Sequence, residues 1–229
     1  MTVAYAGGTT GACAAVRSGA AIVVVDAFRT SATISVLVSK GARVVPVSSI
    51  GEAASATADF RIGERGSMKV AGFDFGNSPT EVLDANIPSG STVILSTTNG
   101  TRVIEAAAGA HFIFTGSFVN ATALADVIHD EGIKPVTVIG CGWEGHRSSE
   151  DEAAAGAILH RLEKRGARLD SRARRVVDSY FLHSVERLRG NSAAWRLKSL
   201  GYERDLTFCL AEDTVPVAPR LVDGAFIEG

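Results

Sequence analysis

Asp26 closes the apolar run Val23-Val24-Val25, and Arg29, Thr30 and Ser31 follow at the mouth of a helical stretch. A carboxylate and an arginine three residues apart, just beyond a buried strand, are the types that hold a divalent cation and grip a phosphate through a bidentate fork. The pattern of an apolar run followed by small polar residues recurs. Val93-Ile94-Leu95 leads into Ser96-Thr97-Thr98-Asn99-Gly100-Thr101, Phe112-Ile113-Phe114 into Thr115-Gly116-Ser117, and Val138-Ile139 into Gly140-Cys141-Gly142. Taken singly, such strings are helix caps worth ~1 kcal/mol. Four at the same ends of one sheet offer unpaired N–H groups and positive dipole ends, which suit a phosphate.

Acids supply the second half of the chemistry. Glu64 stands in Gly63-Glu64-Arg65-Gly66, and Glu150-Asp151 opens a helix. With Asp26 they form an oxygen-rich set of the kind Mg²⁺ uses, where water and phosphate oxygens complete the shell. Asp26, Glu64, Asp151 and Glu150 are therefore the candidate metal ligands. Glu152 is assigned to a capping box, Ser149-x-x-Glu152.

These residues need a scaffold that brings strand ends together. Short β-branched runs alternate with helical periodicity: strands are expected at 22–25, 44–47, 92–97, 112–115 and 136–139, and helices at 31–40, 52–58, 101–108, 121–129 and 150–164. Residues 63–76 read as a glycine-rich loop, 171–189 and 193–200 as two consecutive helices, and the last thirty or so as mixed strand and loop. Continuous Val/Ile runs separated by helices predict an α/β fold, a three-layer α/β/α arrangement with a largely parallel sheet and a helical segment near the C-terminus. One domain over residues 1–229, or two closely packed lobes, satisfies the length.

Composition narrows the class. The chain has 229 residues, 46% hydrophobic and 21% charged, with 23 basic against 25 acidic side chains and a net charge of −2. That balance argues against nucleic-acid or membrane-surface binding. Cys13, Cys141 and Cys209 contain no C-x-x-C pair and are odd in number, which excludes a disulfide framework. No signal peptide is visible and no apolar run can span a bilayer. A soluble cytoplasmic protein acting on a small phosphorylated acid is expected, and the size admits a symmetric homodimer.

Other readings compete at residues 140–147. Cys141 and Arg147 have the C-x5-R spacing of a cysteine-dependent phosphatase, although Glu144 in the same loop would repel a phosphate. Gly140, Gly142 and Gly145 spell G-x-G-x-x-G, but the helix starts too late for a dinucleotide fingerprint. A non-catalytic phospho-ligand binding protein is a third reading. His146 is spaced to join Glu150, while His111, His129, His160 and His183 form no ligand cluster. The arginines at 172, 174 and 175 read as a solvated face.

Asp26-Ala27-Phe28-Arg29-Thr30-Ser31-Ala32-Thr33, Gly63-Glu64-Arg65-Gly66, Gly72-Phe73-Asp74-Phe75-Gly76-Asn77-Ser78-Pro79, residues 96–101, Gly116-Ser117-Phe118 and Glu150-Asp151 occur in one order. That series, with the closing segment 201–216, resembles the 2-phosphosulfolactate phosphatases over nearly the whole chain. The resemblance implies an α/β/α fold and Mg²⁺-dependent hydrolysis of 2-phosphosulfolactate to sulfolactate, a step on a route to coenzyme M. The chain departs from the family's wording at Phe28, Thr30 and residues 143–146, which bears on the organic half of the substrate. On this reading Asp26 and Arg29 are catalytic, Arg29 binding the phosphate. Asn77, Ser78, Ser117 and residues Ser96, Thr97, Thr98, Asn99, Gly100 and Thr101 supply donors. Arg65, Lys69, Arg102 and Arg147 are candidates to pair with the substrate's acid group.

Overall fold

A computed structural model describes residues 1–182 and 185–229; His183 and Ser184 lie outside the described residues. The strands are β1 (Thr2–Gly7), β2 (Ala21–Val25), β3 (Arg43–Pro46), β4 (Phe60–Arg65), β5 (Met68–Lys69), β6 (Thr92–Ser96), β7 (Ile113–Thr115), β8 (Val136–Gly140), β9 (Arg168–Leu169), β10 (Pro219–Val222) and β11 (Ala225–Glu228). The helices are α1 (Gly8–Arg17), α2 (Thr30–Ser39), α3 (Ile50–Ser55), α4 (Pro79–Asp84), α5 (Gly100–Ala106), α6 (Ala121–Asp130), α7 (Ser149–Lys164), α8 (Ser171–Leu182), α9 (Val185–Arg189), α10 (Ser192–Ser199) and α11 (Glu203–Cys209).

The strands join in the order β5-β4-β6-β3-β11-β10-β7-β2-β8-β1-β9. Two parallel sets, β4-β6-β3 and β7-β2-β8-β1-β9, are bridged by the antiparallel hairpin β10–β11. Pleating sends alternate residues to opposite faces. Val23 and Val25 pack with α6, α7 and α8, whereas Ile22 and Val24 pack with α1, α2, α4 and α5. Val47 and Ile94 pack separately with Ala53 of α3. The expected α/β architecture is present.

Helix α2 is buried along its length, from Thr30 through Val38. Most of its buried hydroxyls find partners in the core: Ser35 Oγ donates to Ser31 O, and Ser31 Oγ lies 2.8 Å from Thr115 Oγ1, whereas Thr33 Oγ1 has none among the described residues. Ser31 Oγ also accepts from Asp26 N–H at 2.9 Å, which fixes the β2–α2 turn.

Several local expectations are corrected. Residues 63–76 are not all loop, since β4 runs into Arg65 and turns through Gly66 into β5. Strand β1 and helix α1 escaped the periodicity reading because Thr2–Gly7 has small residues in place of a continuous β-branched run and α1 is rich in glycine and alanine. The stretch 171–189 forms α8 and α9, with His183 between them outside the described residues. The capping-box expectation fails: Ser148 is the N-cap of α7 and makes no side-chain cap bond, and Glu152 pairs with Arg147. The last thirty residues also hold α11. Among the described residues no helix is long and apolar enough to cross a membrane.

Candidate active site

The carboxyl ends of β2, β4 and β6 meet at the start of α2. Asp26 leaves β2 and accepts a 2.7 Å hydrogen bond from Thr30 Oγ1, the first residue of α2. Thr30 Oγ1 accepts from Asn77 Nδ2 at 3.2 Å and lies 3.3 Å from Thr97 Oγ1 after β6. That chain of donors orients the Asn77 amide, and its buried Oδ1 has no hydrogen-bond partner. Gly100 must be small, because a Cβ there would stand 2.8 Å from Asp26 Oδ2.

Two further acids hold the loops that frame this crevice. Glu64 accepts from Thr98 N–H at 3.1 Å, from Thr98 Oγ1 at 3.1 Å and from Ser67 N–H. Asp151 accepts from Ala27 N–H and Gly142 N–H, both at 2.8 Å, and so ties the turns after β2 and β8 to the first turn of α7. Glu150 accepts from Asn191 Nδ2 at 2.7 Å through Oε2. One crevice is lined by Asp26, Glu64, Glu150 and Asp151, together with Asn77, Asn99 and Gly142.

The electrostatics follow from that convergence. Burial pushes the Asp26 carboxyl up to about 6, opposed by the Thr30 hydrogen bond and reinforced by Glu64 and Glu150. Asp151 is also pushed well up, by burial and by Asp26 and Glu150, against its two backbone hydrogen bonds. Carboxylates that raise one another in this way are stabilised by a cation. Among the described residues no three His, Cys, Asp or Glu side chains form a ready-made metal cluster. The donors present are all oxygens, and Asp26 Oδ1, Glu150 Oε1 and Asn77 Oδ1 accept no hydrogen bond among the described residues. That set fits Mg²⁺, which takes few protein ligands and keeps several waters.

Arg29 lines the crevice, but its fork is engaged. NH1 donates to Asp205 at 2.7 Å, NH2 to Ser67 O at 2.8 Å, and its guanidinium lies 4.0 Å from the Tyr202 ring centre. Asp205 also accepts from Ser78 Oγ and Thr80 Oγ1, at 2.7 and 2.6 Å. Arg29 and Ser78 therefore fasten α11 over the start of α2 and α4. Arg65 bonds to the carbonyls of Glu64, Ser96 and Ser48 and to Ser96 Oγ. Lys69 Nζ donates to Asp74 O, and Arg102 is exposed. Thr101 Oγ1 donates to Thr97 O, and Ser117 N–H donates to Asn120 Oδ1. Of the expected donor loop, Asn99 alone lines the crevice.

Sequence reasoning missed Ser67, Trp143 and Arg196. Arg196, on α10, donates from Nε to Ser67 Oγ at 2.9 Å, stacks 3.7 Å from the Trp143 ring centre and lines the crevice. Its distance in sequence hid it, since 129 residues separate Arg196 from Ser67. Asp205 was visible only as part of the closing motif.

The cysteine reading fails on this geometry. Cys141 is buried, and burial together with Asp26 and Asp151 pushes its thiol well up, away from the thiolate a nucleophile needs. Arg147 is paired with Glu152 rather than turned to the thiol. His146 is exposed in a turn, with its N–H donating to Trp143 O.

The family model described as 2-phosphosulpholactate phosphatase matches residues 12–224. The chain belongs to this family. It is a family of phosphoric monoester hydrolases. A probable 2-phosphosulfolactate phosphatase of Thermotoga petrophila is 38% identical over 90% of both chains. One of Gloeobacter violaceus is 36% identical over 90% of this chain and 91% of its own. The 2-phosphosulfolactate phosphatase of Methanocaldococcus jannaschii is 34% identical over 87% of this chain and 88% of its own.

Proposed function

We propose that the chain hydrolyses the phosphate ester of 2-phosphosulfolactate, or of a closely related phosphorylated hydroxy acid, to the free hydroxy acid and phosphate, with Mg²⁺ in the carboxylate crevice. The observation that carries this reading is the convergence of Asp26, Glu64, Glu150 and Asp151 on one crevice of a chain from this family.

Phosphate monoesters hydrolyse slowly because their anionic oxygens repel a nucleophile and a poor alkoxide must leave. Positioning and charge neutralisation therefore carry most of the catalysis. Asp26, Glu150 and Asn77 are the residues that would hold the ion, while Glu64 and Asp151 keep the surrounding turns in place. When bound, Mg²⁺ would neutralise phosphate charge and lower the pKa of water. Arg196 would grip the phosphate oxygens, because its terminal nitrogens have no hydrogen bond among the described residues. Asn99 beside it would add a neutral donor. A crevice carboxylate would orient the attacking water. The water's oxygen forms the new P–O bond as the ester P–O bond breaks, its proton passes to that carboxylate, and the departing alkoxide takes up a proton from solvent.

The test is phosphate release from 2-phosphosulfolactate beside phospholactate, phosphoglycolate and p-nitrophenyl phosphate. Preferred turnover of the sulfonated or a closely related phospho-acid supports the reading. A lack of release from every substrate, with Mg²⁺ present, overturns it.

A further inference from the structure

Two crevices flank the carboxyl end of β8. Strand β8 leads into α7 on one face of the sheet, while its neighbours β1 and β2 lead into α1 and α2 on the other. Adjacent strands whose helices depart to opposite faces leave a gap at their carboxyl ends, where α/β proteins bind ligands. The gap between β8 and β2 is the carboxylate crevice. The gap between β8 and β1 is a second cavity of about 260 Å³, which shares Gly142, Ser148 and Asp151 with the first.

We propose that this second cavity binds a small oxyanion of the sulfonate, carboxylate or phosphate class. Helix α1 points its first turn into it. Its N-cap, Gly7, offers no side-chain cap, so the leading N–H groups of this ten-residue helix lack a side-chain acceptor. The second observation is independent of the helix. Tyr5 is only 6% exposed, yet its hydroxyl has no hydrogen bond among the described residues. It lines the cavity beside Gly140, where a Cβ would come within 2.4 Å of the hydroxyl oxygen. The hydroxyl therefore opens onto the cavity with no protein acceptor, and an anion there would accept its hydrogen bond.

The charges around the cavity balance, two acids against two arginines, and both acids are already engaged. Both Asp151 oxygens hold backbone N–H groups, and Glu152 is held by Arg147. Arg172 lies 5.6 Å from the Tyr5 ring centre, is exposed and makes no ion pair among the described residues, so its guanidinium is free to turn to an anion. The face that reads as merely solvated in the sequence thus gives one arginine to a cavity.

The anion has two sources. It is the acid end of a substrate whose phosphate sits next door, which rests on the proposed phosphatase reading, or a separate small anion. Calorimetric titration with sulfate tests the site itself, using wild type, Arg172→Gln, Tyr5→Phe and Asp26→Asn, each checked for an unchanged circular dichroism spectrum. Sulfate binding that weakens roughly tenfold in Arg172→Gln, weakens measurably in Tyr5→Phe and persists in Asp26→Asn is expected. An absence of binding in wild type, or binding indifferent to both Tyr5 and Arg172, overturns the proposal. A raised KM for 2-phosphosulfolactate in Arg172→Gln, with kcat little changed, identifies the substrate's acid end. Lost sulfate binding with an unchanged KM identifies a separate anion. Sulfate binding without any turnover would sink the phosphatase reading alone.

Discussion

Replacing Asp26 with Asn should make the metal-free protein more stable at neutral pH while removing its activity. The fold holds this carboxyl up at about 6 against an ordinary value of 3.8. A shift of about two units corresponds to roughly 3 kcal/mol, taken as an upper bound because water reaches one edge of the crevice. The sign follows from proton binding. Between about pH 4 and 6 the folded state keeps a proton that the unfolded chain has released, so stability falls as pH rises through that window. Below it the penalty is absent, and above it the penalty is complete. Asn keeps an acceptor for Thr30 Oγ1 and carries no charge. In EDTA at pH 7.5 the variant should melt roughly 5–10 °C above wild type, with the gap closing near pH 4. Mg²⁺ should raise the wild-type melting temperature at pH 7.5 and leave the variant unmoved. A variant that is less stable than wild type at pH 7.5, or a gap that does not depend on pH, would refute the reasoning.

Other outcomes follow from the same geometry. Arg29→Met leaves Asp205 buried and unpaired, so chemical denaturation should show a loss of about 3–5 kcal/mol, and the Arg29→Met/Asp205→Leu double variant should lose less than the sum of the singles. Arg196→Gln removes the proposed grip on phosphate oxygens; kcat/KM should fall at least tenfold while the melting temperature changes little, and an unchanged kcat/KM would remove Arg196 from the site. Cys141→Ala should keep wild-type turnover, and iodoacetamide should leave wild-type activity intact; loss in either experiment would revive the thiol mechanism.

Much of the scaffold was legible because parallel strands buried on both faces leave continuous runs such as Ala21–Val25 and Val136–Gly140. The polar strings beyond them lie at the strand ends around the candidate crevice, and the four acids named from sequence do line it. Side-chain direction was not legible. Arg29 carries the spacing of a phosphate clamp, yet its fork is engaged by Asp205 and Ser67, and Asp205 lies 176 residues away. Arg65 and Ser78 brace the turns and do not line the crevice at all. Arg196 carried no local signal, since its role comes from where α10 folds back over Trp143 and Ser67. Residue type and spacing thus pointed to groups that share one candidate crevice, and long-range pairing decided which of them remained open in it.

Metal-assisted phosphate-ester hydrolysis in the crevice around Asp26 requires both the ion and the carboxylate. Phosphate release from 2-phosphosulfolactate, followed in EDTA and then with excess Mg²⁺ for wild type and Asp26→Asn, tests it most directly. Activity that is lost in EDTA, returns with Mg²⁺ and is missing from Asp26→Asn under both conditions is predicted. Turnover that survives chelation, or that persists without the Asp26 carboxylate, would contradict it.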